Sequence, residues 1–234
     1  MSATTRPRRV GGVDGAGGQW VLAILDDTSC TTTQFEGFDD VVATARRLEL
    51  QAVAVDMPMG LPSGGTRPSD ALVRAVLGSR RSTLFPTPPA PVLAASHFDE
   101  ANRLHREHTG KGMSKQAFNL LPAIAQVRRA VQAAPPQARR RFHEAHPETT
   151  FTVLTGSPLP SKKTAAGVGR RLQVLAELID DPAAVLASAP PSCAADDVID
   201  AIAVAWSARR HVAGLARVFG DGVDAEGFPL SVIA

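Results

Sequence analysis

Hydrophobic positions along this chain repeat with two different periods, and the period changes at recognisable breaks. Val10 to Asp14 is a short apolar run that enters a glycine-rich turn, DGAGG. Gln19 to Leu25 is a second apolar run, and Thr28 to Phe35 alternates β-branched threonine with polar residues after an Asp-Asp turn. Runs of this length, separated by turn residues, predict three successive strands joined by tight turns. From Phe38 to Leu48 the period lengthens, and Val41, Val42, Ala45 and Leu48 fall on one helix face. Asp39 and Asp40 occupy its first turn, where the helix dipole favours negative charge. QAVAVDMP, residues 51 to 58, is apolar without alternation, as expected of a strand buried on both faces. It ends at Asp56, and Pro58 blocks further ladder pairing.

Glycine and proline runs, GLPSGGTRPSD and FPTPPAPV, make residues 60 to 96 irregular at both ends, with a short helix from Ser69 to Leu77 between them. Helical spacing returns over 97 to 108 and 114 to 133. Arg141 to Ala145 reads as a strand, and Glu144, His146 and Glu148 share one of its faces if it persists past Pro147. The last helix runs from about Ala194 to Leu215, with Ile199, Ile202 and Trp206 on one face. This order predicts a mixed α/β layer fold. Residues 10 to 234 are expected to form one domain with an insertion at about 60 to 140, and residues 1 to 9 a disordered basic tail.

Composition narrows the picture modestly. A chain of 234 residues with 44% hydrophobic content can bury a sizeable core. The net charge of +2 is nearly balanced, so the placement of the basic residues says more than their number. Arg67, Arg74, Arg80 and Arg81 form one cluster. Arg128, Arg129, Arg139, Arg140 and Arg141 form a second, and Lys162, Lys163, Arg170 and Arg171 a third. Each suits phosphate contacts or a solvated face. Cys30 and Cys193 are too few for a disulfide framework or a zinc site. No run of about 18 apolar residues exists and no apolar segment follows the basic N-terminus, so neither a membrane span nor a secretory signal is expected, and a cytoplasmic location is.

The chemistry lies in the carboxylates. Asp14 ends the first strand and Asp56 ends the strand after the first helix. If those strands are parallel neighbours, both side chains emerge at one edge, where their repulsion calls for a proton or a cation. Hard oxygen ligands suit magnesium. In AADDVIDAIAVAW, Asp197 and Asp200 share a helix face, with Asp196 beside them. Acids at a helix start also complement the dipole, but Asp200 sits among apolar residues beyond that turn. Glu144 is a further inward candidate, or an edge-strand polar residue. His105 and His108 have a metal-binding spacing without a third ligand and read as solvated or packing residues. Trp20 and Trp206 read as core. No tyrosine and 5% aromatic content argue against an extensive single-strand stacking surface.

The segments GVDGAGGQW, AVDMPMGLP, SRRSTLFPTP, GMSKQAFNLLP, EAHPETTF, SKKTAAGVGRR and ADDVIDAIAVAW follow one another as in the DUF429 family, which the chain resembles from about residue 10 to 234. That is a family of predicted RNase H-like nucleases. More distantly, Asp14, Asp56, Asp197 and Asp200 resemble the four acidic positions of Holliday-junction resolvases with the RNase H-like fold, where the fourth-strand acid is usually glutamate. The resemblance implies an RNase H-like mixed sheet, three antiparallel strands followed by parallel ones, flanked by helices. It implies a nuclease hydrolysing phosphodiester bonds of DNA or RNA with two Mg²⁺ or Mn²⁺ ions about 4 Å apart. Asp14 would bridge the ions, Asp56, Asp197 and Asp200 would complete their shells, and Glu144 would be a further catalytic acid. Lys115, Lys162, Lys163, Arg80 and Arg81 are the candidate substrate contacts. The resolvases act as dimers, so a homodimer is also implied, although no heptad seam marks one. Two competing readings are an actin-like ATP-dependent phosphotransferase, for which one lobe of this length is short, and a noncatalytic nucleic-acid-binding protein that kept the fold.

Overall fold

The computed structural model describes residues 9–16 and 18–234. The basic tail lies outside the described residues except for Arg9, whose Nε donates to Asp26 Oδ2 at 2.7 Å. Strands β1 (Val10–Ala16), β2 (Gln19–Asp26) and β3 (Ser29–Phe35) form the antiparallel meander that the alternation predicts. The second turn closes because Asp27 adopts a left-handed φ of 51°, which a short polar side chain tolerates. Helix α1 (Phe38–Arg47) then crosses to β4 (Val53–Val55), which lies parallel to β1.

Between β4 and β5 (Phe142–Ala145) stands the insertion: α2 (Pro68–Leu77), two 3₁₀ segments (Gly78–Thr83 and Ala90–Ala94), α3 (Phe98–Thr109), α4 (Lys115–Ala133) and α5 (Pro136–Arg139). After β5 come α6 (Pro147–Thr155), α7 (Ala165–Leu175), α8 (Pro182–Ala187), α9 (Ala195–Val212), β6 (Val218–Phe219) and β7 (Val232–Ile233). Among the described residues the strands form one seven-stranded sheet in the order β3-β2-β1-β4-β5-β7-β6. β4, β5 and β7 continue parallel from β1, and β6 is antiparallel to β7. This is the expected mixed sheet, antiparallel strands first and parallel ones after, flanked by helices.

Both faces of the sheet are covered, which explains the unbroken apolar run of β4. Val13, Trp20, Leu22, Val53 and Val55 face one core with α1 and α4. Val21, Ala23, Ala52 and Ala54 face the other, against α9. Gly12 permits that second packing. A Cβ there would lie 2.1 Å from the Ala201 carbonyl oxygen and 2.2 Å from the Ala205 nitrogen, so α9 rests directly on the β1 backbone. Side chains alternate along a strand, so Asp14 leaves β1 on the same face as Gly12, towards α9.

The structure corrects several local readings. The strand at 141–145 does not persist, because Pro147 opens α6, where its fixed φ and missing N–H suit the first helical position. Glu148 therefore belongs to a helix and does not share a strand face with Glu144. The basic clusters are partly neither solvated nor free for phosphate. Arg67, Arg128 and Arg171 are buried. They pair with Asp70 and Glu144, with Asp224, and with Glu148. Burying a guanidinium demands such a partner, and apart from Asp70, three residues from Arg67, each partner comes from a distant part of the chain. His105 is buried, with Nδ1 2.7 Å from the Lys111 carbonyl oxygen, and Trp20 lies in the core, both as expected. Among the described residues no helix is long and apolar enough to cross a membrane.

Candidate active site

The parallel register of β1 and β4 brings two carboxylates to one sheet edge. Val13 pairs with Val55, and the Asp56 nitrogen donates to the Val13 carbonyl oxygen at 2.9 Å. Asp14 and Asp56 therefore follow paired residues and emerge on the α9 face. The close approach at Gly12 sets α9 so that Asp200, just before the Ala201 contact, reaches the same spot. All three line a cleft of about 430 Å³, together with Arg80, Thr83, Phe85, His146, Glu148, Lys162 and Lys163.

The electrostatics follow from that crowding. Asp14 is 8% exposed and accepts from the Gly15 nitrogen at 2.8 Å. Burial, then the charges of Asp56, Asp200 and Asp197, push its carboxyl well above the ordinary range. Asp56 is raised by burial and Asp200. Asp200 is 3% exposed and is pushed up to about 6 by burial, with Lys162 opposing. Lys162 Nζ lies 2.5 Å from Asp200 Oδ2 and 3.5 Å from Asp196 Oδ2. Burial alone would lower the lysine, but these carboxylates hold its ammonium above the ordinary range. Lys163 Nζ lies 3.0 Å from Asp196 Oδ2. His146 is held neutral, down at about 4, chiefly by burial.

The remaining sequence candidates are dispersed. Asp197 is half-buried on α9, outside the cleft wall, and only its charge reaches Asp14. Glu144 pairs with Val55 in register and so points to the opposite sheet face. There Arg67 takes both its oxygens, at 2.5 and 2.6 Å, and the Met59 nitrogen donates at 2.9 Å. It still lines part of the cleft wall, and its charge raises Asp56. Arg80 lines the cleft with Nη2 3.6 Å from Glu148 Oε1, while Arg81 is exposed away from it. Lys115 is exposed at the start of α4, 5.9 Å from the Phe98 ring centroid, and does not line the cleft.

Three cleft residues escaped the sequence reading. Glu148 enters the sequence reading only as a strand-face residue, on condition that the strand passes Pro147, and its partner Arg171 lies 23 residues on. His146 was grouped with it. Phe85 had a signal: an aromatic between Leu84 and Pro86 in a proline-rich loop has no periodicity to bury it.

The donor set bears on the implied metal. Asp14, Asp56 and Asp200 offer oxygen only, as Mg²⁺ and Mn²⁺ prefer. Asp200 Oδ1 is buried with no hydrogen-bond partner, and the ammonium of Lys162 already occupies a cation's place at Oδ2. An orphaned buried carboxylate oxygen beside two more acids fits a divalent ion. Among the described residues no three His, Cys, Asp or Glu side chains form a ready cage, so the carboxylates would have to move together to hold an ion.

Residues 12–225 match the profile of the family described as "Protein of unknown function (DUF429)". No curated protein and no solved structure matches the chain. The family match covers nearly the whole mixed sheet and every carboxylate of the cleft, and the chain belongs to the DUF429 family.

Proposed function

We propose that this protein hydrolyses phosphodiester bonds of nucleic acid with Mg²⁺ or Mn²⁺ held at Asp14, Asp56 and Asp200, with Asp197 nearby. The observation that carries the reading is the convergence of three aspartates, two just past the end of the β1–β4 parallel ladder and one on a helix, in a cleft flanked by Arg80, Lys162 and Lys163. A divalent ion bound there would lower the pKa of an attacking water and neutralise charge on the phosphate. The chain supplies the rest. Asp14, anchored by the Gly15 nitrogen, is the fixed ligand at the centre of the group. Asp200 offers its unpartnered Oδ1. Arg80 and Lys163 present positive charge to the phosphate, which the carboxylates alone would repel.

One observation favours a second reading. Lys162 already compensates Asp200, as a permanent counter-ion would in a noncatalytic nucleic-acid-binding protein. A single experiment separates the two. Titration calorimetry with Mg²⁺ and Mn²⁺ is run on the intact protein and on Asp14→Asn, alone and with an oligonucleotide. The proposal expects binding by the intact protein, loss in the variant, and metal-dependent cleavage. Absence of metal binding by the intact protein in the presence of nucleic acid would overturn it and leave the binding role.

A further inference from the structure

The chain has eleven aromatic side chains, nine Phe and two Trp, and among them Phe85 alone is exposed, at 37%. That ring lines the cleft that holds Asp14, Asp56 and Asp200. An isolated exposed apolar residue needs no explanation in general, but this one is held firmly in place. Pro86, Pro88 and Pro89 restrict the backbone that follows it. Thr87, two residues on, is buried. Its nitrogen donates to Asp70 Oδ2 at 2.9 Å and its hydroxyl to Asp70 Oδ1 at 3.0 Å. Asp70 accepts from Arg67, and Arg67 is clamped on Glu144 of β5. On the other side, Arg74 Nη2 donates to the Leu84 carbonyl oxygen at 3.2 Å. A buried ionic chain running to the central sheet thus presents one aromatic ring to solvent, beside carboxylates and cations. Such pre-organisation lowers the entropic cost of using the ring to bind.

A base in a duplex keeps both faces on its neighbours, so a protein ring can stack only on an unpaired or extruded base. Resting on the phosphodiesterase reading above, we propose that Phe85 is the stacking platform for one unpaired base next to the carboxylate cleft, and that the substrate is single-stranded nucleic acid. The adjoining phosphate meets Arg80 and Lys163. The low aromatic content excludes an extended stacking surface and leaves room for this single platform. DNA and RNA share the recognised chemistry, so the experiment includes both.

Binding of the full chain is measured by fluorescence anisotropy in Ca²⁺, with short single-stranded DNA, single-stranded RNA and a blunt duplex of the same sequence. Phe85→Leu keeps an apolar side chain without a ring, and Phe85→Trp keeps a ring. The expected result is a preference for a single strand, weakened about tenfold or more in Phe85→Leu and retained in Phe85→Trp, from the usual strength of base stacking. Duplex binding should be indifferent to both variants. Equal single-strand affinity in the wild type and Phe85→Leu, or tighter binding of the duplex, would overturn the inference while leaving a metal-dependent nuclease intact. If no nucleic acid binds and none is cleaved with Mg²⁺ or Mn²⁺, both readings fall. Thermal midpoints of the two variants, expected near wild type because the ring is exposed, separate lost stacking from misfolding.

Discussion

Replacing Lys162 by methionine should lower stability and raise metal affinity, two opposite effects of one lost charge. The ammonium sits 2.5 Å from Asp200 Oδ2, and the lysine side chain is only 29% exposed. A charge-assisted hydrogen bond of this kind contributes about 1.5–3 kcal/mol net. Without it Asp200 stays buried with no compensating charge, next to Asp14 and Asp56. The metal-free variant should therefore melt roughly 3–12 °C lower, taking about 2–4 °C per kcal/mol for a chain of this size. A divalent ion that uses Asp200 must first displace the ammonium. With that competitor gone, the same free energy appears as tighter binding, by about ten- to a hundredfold. Saturating Mg²⁺ should consequently raise the melting temperature more in Lys162→Met than in the wild type. Calorimetry gives the affinities, and melts with and without Mg²⁺ give the stabilities. Unchanged or weaker metal binding in the variant would refute the reasoning, because it would mean that lysine and ion do not share a site.

Metal binding should also depend on pH through the acids whose proton affinity burial raises. Asp200 is pushed up to about 6, and Asp14 and Asp56 are raised as well. An ion binds the carboxylate form, so affinity should strengthen as pH rises through 6, and binding at pH 6 should release protons. Calorimetry in buffers of different ionisation enthalpy counts them, and zero release at pH 6 would contradict the raised values. Arg67→Met should be among the most damaging single changes. It leaves Asp70 and Glu144 buried without their counter-charge, at a cost of about 3–5 kcal/mol. A drop of roughly 6–20 °C in melting temperature is expected at the same conversion, and a near-wild-type melt would refute it. Glu144→Gln in the same chain should recover part of the loss.

Much of the framework was legible locally. The apolar run of β2 and the alternating threonines of β3 marked strands, and the helical spacing marked α1 and α9 within a few residues. The unbroken apolar run at 51–58 correctly announced a strand covered on both faces, although its ladder is limited to Val53–Val55. Other elements left no such mark. β6 and β7 are two residues each, too short for a period to show. α6 is rich in β-branched threonine, and its strand-like composition yields to tertiary packing against α9 and to Pro147 at its start.

The site divides in the same way. From the sequence alone, Asp56 could be placed at a strand end and Asp200 at an anomalous helix position, because strand and helix periods are set by neighbours a few residues away; Asp14, expected to end its strand, lies inside β1, which runs on to Ala16. Which strands lie side by side, which arginines are buried, and which lysine meets Asp200 are decided by contacts across long stretches of chain. Arg67 and Glu144 are 77 residues apart, and Lys162 and Asp200 are 38 apart. Those pairings exist because a buried charge must find an opposite one, and only the packed fold decides which one is within reach. The sequence determined the carboxylates and the elements that carry them. The tertiary structure decided that Asp14, Asp56 and Asp200 converge, that Glu144 at the cleft wall is taken up by Arg67, and that Phe85 stays exposed beside them.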